Sequence, residues 1–270
     1  MWPIIWEFEV FGLPITIFSF GTFIVLAFIV SAFYVRRRAA RTLDLDRERV
    51  LNVCFGLLFL GLVGARLLYA FIHHSEFSKA PMSFLYIWEG GLVFYGGLIV
   101  CLLWLMWYLP RHADLKGWAF VDVLALGAGL AVFVGRWASF FAGENYGKPA
   151  PGLPWAVQFP PAKGSAVPPA MRGIDLHPTQ IYHSLHGLLL FLILLLFLRK
   201  RPWAGRAAGL FLALYAVGTF VIEFWRGDDA ARGMIIEGYL STSQLLSIPV
   251  FFAGVAIFLI RRPPDDAPSA

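Results

Sequence analysis

Seven apolar runs dominate the chain: roughly Pro14–Val35, Val50–Ile72, Gly91–Leu109, Trp118–Gly135, Ile181–Leu198, Ala207–Trp225 and Ser243–Ile260. A membrane-spanning helix needs about 20 consecutive apolar residues. In lipid a chain must satisfy its own backbone N–H and C=O groups, which such uninterrupted runs do by forming helices. Composition agrees, with 59% hydrophobic and only 14% charged residues, against roughly 25% charged in soluble domains. The expectation is an all-α integral membrane protein of about seven transmembrane helices, one polytopic membrane domain over residues 1–270.

Orientation follows from the basic residues. Arg36, Arg37, Arg38, Arg41, Arg47 and Arg49 follow the first run; Arg111 and Lys116 follow the third; Arg199, Lys200, Arg201 and Arg206 follow the fifth; Arg261 and Arg262 follow the seventh. With seven spans, all four clusters share one side. That side is cytoplasmic, which puts the C-terminus inside and the N-terminus outside. The net charge of +5 is thus a topology signal, and no nucleic-acid partner is implied. The N-terminus carries Glu7 and Glu9 where a cleavable signal peptide would be basic. Cys54 and Cys101 lie inside apolar runs without ligand or disulfide spacing, and read as small buried hydrophobes.

The longest outside segment, 145–176, carries Pro149, Pro151, Pro154, Pro160, Pro161, Pro168 and Pro169. Proline at this density prevents long helices. A compact periplasmic cap between helices 4 and 5 is expected, with short strands around Ala156-Val157-Gln158-Phe159.

Polar groups inside apolar runs are the functional signal, because a charge at bilayer depth costs about 3 kcal/mol or more unless it is paired or reaches water. Arg66 sits towards the outer half of the second span and Asp122 near the start of the fourth. Arg136 and Glu144 flank the outer end of the fourth; His177, Gln180 and Tyr182 open the fifth; Glu223 and Arg226 close the sixth. All except Asp122 fall near the outer face. For any one of them, an ion pair tying helix ends together or a side chain snorkelling to the headgroups is an equal reading. As a set, Arg66, Arg136 and Arg226 are three cations near one level with few local carboxylates, suited to a phospholipid phosphate. The segment Glu89-Gly90-Gly91-Leu92-Val93-Phe94-Tyr95-Gly96-Gly97 adds glycines that let either helices or a ligand approach closely.

With these residues in view, the chain resembles the bacterial prolipoprotein diacylglyceryl transferases over nearly its whole length. The resemblance rests on Gly64-Ala65-Arg66, Trp88-Glu89-Gly90-Gly91, Asp122, Gly135-Arg136 with Glu144 and Gly147, Pro154-Trp155-Ala156-Val157-Gln158-Phe159-Pro160, His177-Pro178-Thr179-Gln180-Ile181-Tyr182, Glu223-Phe224-Trp225-Arg226 with Asp229, and Ser243-Gln244-Leu245-Leu246-Ser247-Ile248-Pro249. It implies transfer of the diacylglyceryl group from phosphatidylglycerol to the thiol of the lipobox cysteine in a prolipoprotein signal peptide. It also implies a multi-pass protein of the inner membrane, acting on the periplasmic side as the first step of lipoprotein maturation. Catalytic roles fall to Arg136, Glu144, Tyr95 and Glu223. Phospholipid contacts fall to Arg136, Arg226, Arg66, Tyr215, Gly147, Ser139, His177, Gln180, Gly96 and Gly97. No cofactor is implied, and the partners are phosphatidylglycerol, prolipoprotein signal peptides and the bilayer.

The chain departs from the family pattern at four positions. Tyr95 stands where the family has His, a favoured candidate for the base. Phe20 stands for Tyr, Ser139 for Asn and Thr219 for Arg, whose lost cation Arg66 or Arg232 would replace. The base is then Tyr95 assisted by a neighbouring Arg, or Glu144, or Glu223, or is replaced by the arginine field acting on the substrate thiol. These departures motivate an alternative, a catalytically altered relative that binds phospholipid or signal peptide. A transporter is a third reading, opposed by the clustering of charge at one face. The six His, including His73-His74 and the pair His183 and His186, lack a metal-ligand pattern and are expected at surfaces or interfaces.

Overall fold

The computed structural model describes residues 2–10, 13–74, 81–85, 93–200, 202–229, 234–236 and 239–261, the side chains at 10, 13–15, 81, 83, 94, 95 and 234 excepted. Among them the seven apolar runs become seven α-helices: α1 (Ser19–Leu43), α2 (Arg47–Ile72), α3 (Phe94–Tyr108), α4 (Gly117–Ala142), α5 (Thr179–Arg199), α6 (Arg206–Ile222) and α7 (Thr242–Ile260). Six are long and apolar enough to cross a membrane, and α3 is shorter. A 3₁₀ turn, Leu109–Arg111, prolongs α3.

Two boundaries differ from expectation in ways that matter. The first apolar run does not begin as helix at Pro14. Residues Leu13–Phe18 form strand β2, antiparallel to β1 (Ile4–Val10), and α1 starts at Ser19. β-Branched Ile15, Thr16 and Ile17 favour the extended form once a partner strand exists. At its other end α1 runs on through Arg36–Arg41, because long basic side chains are good helix formers. Likewise α4 continues past Gly135 to Ala142, so Arg136 lies inside the helix rather than flanking its end.

The chain divides into two compact units, residues 35–120 and residues 1–34 with 121–270. In the first, α2 and α3 cross where glycines face each other. A Cβ on Gly64 would lie 2.5 Å from the Gly96 carbonyl oxygen, and one on Gly97 would lie 2.5 Å from that of Gly61. Gly96 and Gly97 therefore serve close helix packing. Arg66 is buried in this unit; its Nε donates to the Phe84 carbonyl at 3.0 Å and its guanidinium lies 5.5 Å from the Tyr69 ring centre. The polar end is tied by Arg49–Asp114 at 3.0 Å and by Lys116 Nζ donating to the Leu43 carbonyl.

In the second unit, α4 and α5 cross at Gly129 and Gly187, and α6 and α7 at Gly209 and Gly254. Asp122, the intramembrane carboxylate of α4, caps α6: it accepts from the backbone N–H of Gly205 and of Ala208, both at 2.7 Å. These are orphan donors of a helix N-terminus, where an acidic side chain is stabilising. A second short pairing, β3 (Met234–Ile236) with β4 (Leu240–Ser241), leads into α7, whose start is capped reciprocally by Ser241 and Gln244.

The segment after α4 closes into a cap around buried Tyr146, Phe159, Val167 and Leu176. The strand expected at Ala156–Phe159 is reduced to a single bridge, Val157 to Leu176, with another from Pro149 to Leu176. Prolines on both sides remove the donors a longer ladder needs. Lys163 Nζ meets Glu7 of β1 at 2.7 Å, so the cap and the N-terminal hairpin lie at one end of the helices.

Candidate active site

Three elements converge where α4 ends, α5 begins and α6 ends. Gly143 terminates α4 with φ +78°, Asn145 follows in the left-handed region at φ 52°, and the Glu144 N–H bonds back to the Ser139 carbonyl at 2.9 Å. This turn brings Glu144, Asn145 and Gly147 over the first turn of α5. There Thr179 Oγ1 donates to the Asn145 carbonyl at 2.6 Å and Gln180 Nε2 to the Glu144 carbonyl at 2.7 Å. Gly147 is required by contact: a Cβ would lie 2.5 Å from that of His177.

Arg226 is the hub of the α6 end. Its Nε and Nη2 donate to Asp228 Oδ1 at 2.9 Å and Oδ2 at 2.6 Å, a bidentate pair. Nη2 also donates to Asn145 Oδ1 at 3.0 Å, and Nη1 reaches Glu223 Oε2 at 3.4 Å. Burial disfavours the charge, and Asp228 and Glu223 outweigh it, so the guanidinium is held more firmly protonated than usual. The expectation of few local carboxylates thus does not hold at Arg226. Asn145 also donates from Nδ2 to Ser139 Oγ at 3.1 Å, so Ser139 orients the amide that orients Arg226.

Arg136 is different. Among the described residues no hydrogen bond or ion pair engages its guanidinium, although its charge acts on the His183 and His186 rings. Glu144 is half-buried. Burial, and then the neighbouring Asp228, raise its carboxyl above the ordinary carboxylate range. That combination suits a group that takes or gives a proton. Glu223 is fully buried against Arg226. Tyr215 stacks on His186, ring centres 6.0 Å apart.

At the outer rim Trp155 Nε1 donates to Tyr182 Oη at 2.9 Å, and Tyr182 Oη lies 3.1 Å from His177 Nδ1. Burial lowers the His177 pKa, which favours the neutral ring, the form that can accept from that hydroxyl. Trp225 closes the group at 6.3 Å from His177.

The structure therefore brings Arg136, Ser139, Glu144, Gly147, His177, Gln180, Tyr215, Glu223 and Arg226 into one unit. Arg66, Gly96 and Gly97 belong to the other. The Tyr95 side chain and Arg232 lie outside the described residues. Sequence reasoning missed Asp228 and Asn145 as partners of Arg226, and Thr179 as the tie to α5. A carboxylate two residues after an intramembrane Arg was the available signal for Asp228. His183, expected at a surface or interface, is 1% exposed.

A multi-pass helical membrane protein with a buried arginine held by carboxylates where helix ends meet a cap is the class this arrangement defines. Within that class, the family model for prolipoprotein diacylglyceryl transferase matches residues 8–260. Phosphatidylglycerol–prolipoprotein diacylglyceryl transferase of Geobacter sulfurreducens is 35% identical over 90% of this chain and 91% of its own length. The proteins of the same name from Symbiobacterium thermophilum and Solidesulfovibrio magneticus are 34% and 32% identical, over 95% and 94% of this chain and 94% and 93% of their own lengths. The chain belongs to the prolipoprotein diacylglyceryl transferase family.

Proposed function

We propose that this chain transfers the diacylglyceryl group of phosphatidylglycerol to the thiol of the lipobox cysteine of a prolipoprotein. The thiol loses its proton, a sulfur–carbon bond forms at the glyceryl carbon, and the carbon–oxygen bond to phosphate breaks. Glycerol phosphate leaves with the electron pair, and a thioether remains. Family membership and relatives that carry this activity in their names support the reading. The observation that carries it at the site is the contrast between two arginines. Arg226 has all its donor atoms turned to protein oxygens, whereas Arg136 has none so engaged among the described residues. Arg136 is then the cation offered to the departing phosphate, where positioned charge lowers the barrier most. Glu144 is the proton acceptor for the thiol, and Arg226 with Asp228 fixes the loop that carries Glu144.

The same reading puts the site on the periplasmic side of the inner membrane, in one membrane domain over residues 1–270. The Glu7–Lys163 pair supports it. Hairpin and cap share one end, so an even number of crossings separates them, and α1 to α4 supply four only if the short α3 crosses too. The basic clusters after α1, α3, α5 and α7 then lie on the opposite, cytoplasmic side.

Expression in cells depleted of their own transferase tests the proposal. A reporter prolipoprotein gains the diacylglyceryl mass if it is right. A stable, membrane-inserted chain that leaves the reporter unmodified refutes it.

A further inference from the structure

On α5 and α6 lie buried polar groups that the reaction as described does not use. Gln180 Oε1, both ring nitrogens of His183, Nδ1 of His186 and Oγ1 of Thr219 are buried side-chain atoms without a hydrogen-bond partner among the described residues. One orphaned buried polar atom costs about 1–3 kcal/mol, so a group of them calls for an explanation.

Helix packing sets where these atoms lie. Ser184 Oγ donates to the Phe133 carbonyl at 2.7 Å, and a Cβ on Gly187 would lie 2.7 Å from the Phe133 nitrogen. Residue 133 of α4 is thus level with the turn of α5 that holds His183. Arg136 begins one turn farther along α4, but helical side chains lean towards their own N-terminus, which returns its guanidinium to the His183 level. The charges of Arg136 and Arg226 both act on the His183 ring. From α6, residue 218 packs so closely on His186 that a Cβ there would lie 2.7 Å from its Cδ2, while Trp225 packs on Tyr182 at 6.2 Å. Thr219, next to residue 218, lies near the level of His186.

The orphans are complementary as a set. Gln180 has its amide nitrogen turned to the Glu144 carbonyl, which leaves Oε1 as an acceptor. A neutral imidazole offers one N–H donor and one acceptor. Arg226 has its donors engaged, and among the described residues Arg136 does not.

We propose that His183 is a positioning residue for Arg136 in the lipid-bound protein: one ring nitrogen comes to donate to Gln180 Oε1 and the other to accept an Arg136 N–H, bonds these atoms do not make among the described residues without lipid. The imidazole aims the guanidinium without cancelling its charge, as a carboxylate would. The chain Glu144 carbonyl, Gln180, His183, Arg136 then links the turn after α4 to the cation. This rests on the reading of Arg136 as the group that faces the phosphate.

The test compares the full-length protein with His183→Leu, which keeps the bulk and removes both polar atoms, and His183→Asn, which keeps a donor and an acceptor. Two quantities are read: transfer from phosphatidylglycerol to a lipobox peptide, and the rise in melting temperature on adding phosphatidylglycerol over that from diacylglycerol, which lacks the phosphate. His183→Leu is expected to lose about tenfold or more in kcat, since small misplacements of a catalytic group carry such penalties. It also loses most of the phosphate-dependent thermal shift while melting no lower than wild type without lipid. His183→Asn stays within about threefold of wild type, because it retains both polar functions. In an Arg136→Ala background His183→Leu adds no further loss, as coupling requires. A merely structural His183 predicts the reverse order, with the apolar Leu tolerated and Asn harmful. Equal behaviour of Leu and Asn, wild-type behaviour of Leu, or additivity with Arg136→Ala overturns the proposal. If His183→Leu does not accumulate, His183→Phe takes its place with the same expected outcomes. Absence of transfer by the wild-type chain refutes the functional reading instead, and the lipid-dependent thermal shift still decides the role of His183.

Discussion

Removing Asp228 tests how the site is held together. Arg226 and Asp228 are 7% and 5% exposed and are joined by two bonds of 2.9 and 2.6 Å. In Asp228→Ala the guanidinium keeps, among the described residues, the 3.4 Å contact to Glu223 and the bond to Asn145. Breaking a buried pair by deleting one partner costs about 3–5 kcal/mol, because an uncompensated charge stays behind. Shared with Glu223 the loss falls at the low end, about 3 kcal/mol, or on the order of 10 °C in melting temperature. Deleting both charges with apolar residues of similar size, Arg226→Met with Asp228→Leu, removes the desolvation cost as well, so the double variant is more stable than Asp228→Ala alone. Thermal melting of the purified protein in one detergent, combined as a double-mutant cycle, measures this. The double variant is nevertheless inactive in prolipoprotein modification, since Asn145 and the Glu144 turn lose their anchor. Additive losses, or an unchanged melting temperature in Asp228→Ala, refute the idea that the pair is a mutually dependent clamp.

Arg136→Ala is expected to lower diacylglyceryl transfer by about 10²–10³-fold, leaving a measurable residue, with little change in melting temperature, because among the described residues no protein group bonds to that guanidinium; a fall in stability as large as that of Asp228→Ala contradicts this. Burial and Asp228 raise the Glu144 pKa above its ordinary 4.5, so the folded state binds this proton more tightly than the unfolded one, and the resulting stabilisation is lost as pH rises through the folded value. Glu144→Gln therefore melts higher than wild type at neutral pH, converges with it below about pH 4.5, and transfers no lipid; a melting difference that is the same at both pH values refutes the assignment. Asp122→Ala removes both acceptors from the start of α6, where capping is worth about 0.5–2 kcal/mol. The melting temperature falls accordingly, while activity below the transition persists, because 14 residues of helix put Arg136 about 20 Å away; lost activity in a folded variant counts against a purely structural Asp122.

Much of the fold was legible because bilayer physics is read directly from composition. Runs of about 20 apolar residues have one solution in lipid, and all seven became helices. The turn after α4 was not read, the span having been ended at Gly135, although it falls on Gly143 and Asn145, residues that tolerate positive φ. Where local reading went wrong, a nonlocal partner decided. Leu13–Phe18 is apolar enough to extend α1, but Ile4–Val10 pairs with it as a strand. Arg136 stood at the expected end of a span, yet α4 continues to Ala142.

The polar positions divide in the same way. Sequence alone determined which residues are expensive in a membrane: Arg66, Asp122, Arg136, Glu144, Glu223 and Arg226 each carry a charge that apolar surroundings do not solvate. It also determined the family, through motifs spread in order along the chain. What each charge does was decided by tertiary structure. Asp122 became a helix cap through Gly205 and Ala208. Arg226 became a clamp through Asp228 and Asn145. Among the described residues no hydrogen bond engages Arg136, and His183 was buried in α5. The reason is physical: a charge's cost is a property of the residue, but the group that offsets it lies on another helix, and one sequence does not state which helices meet.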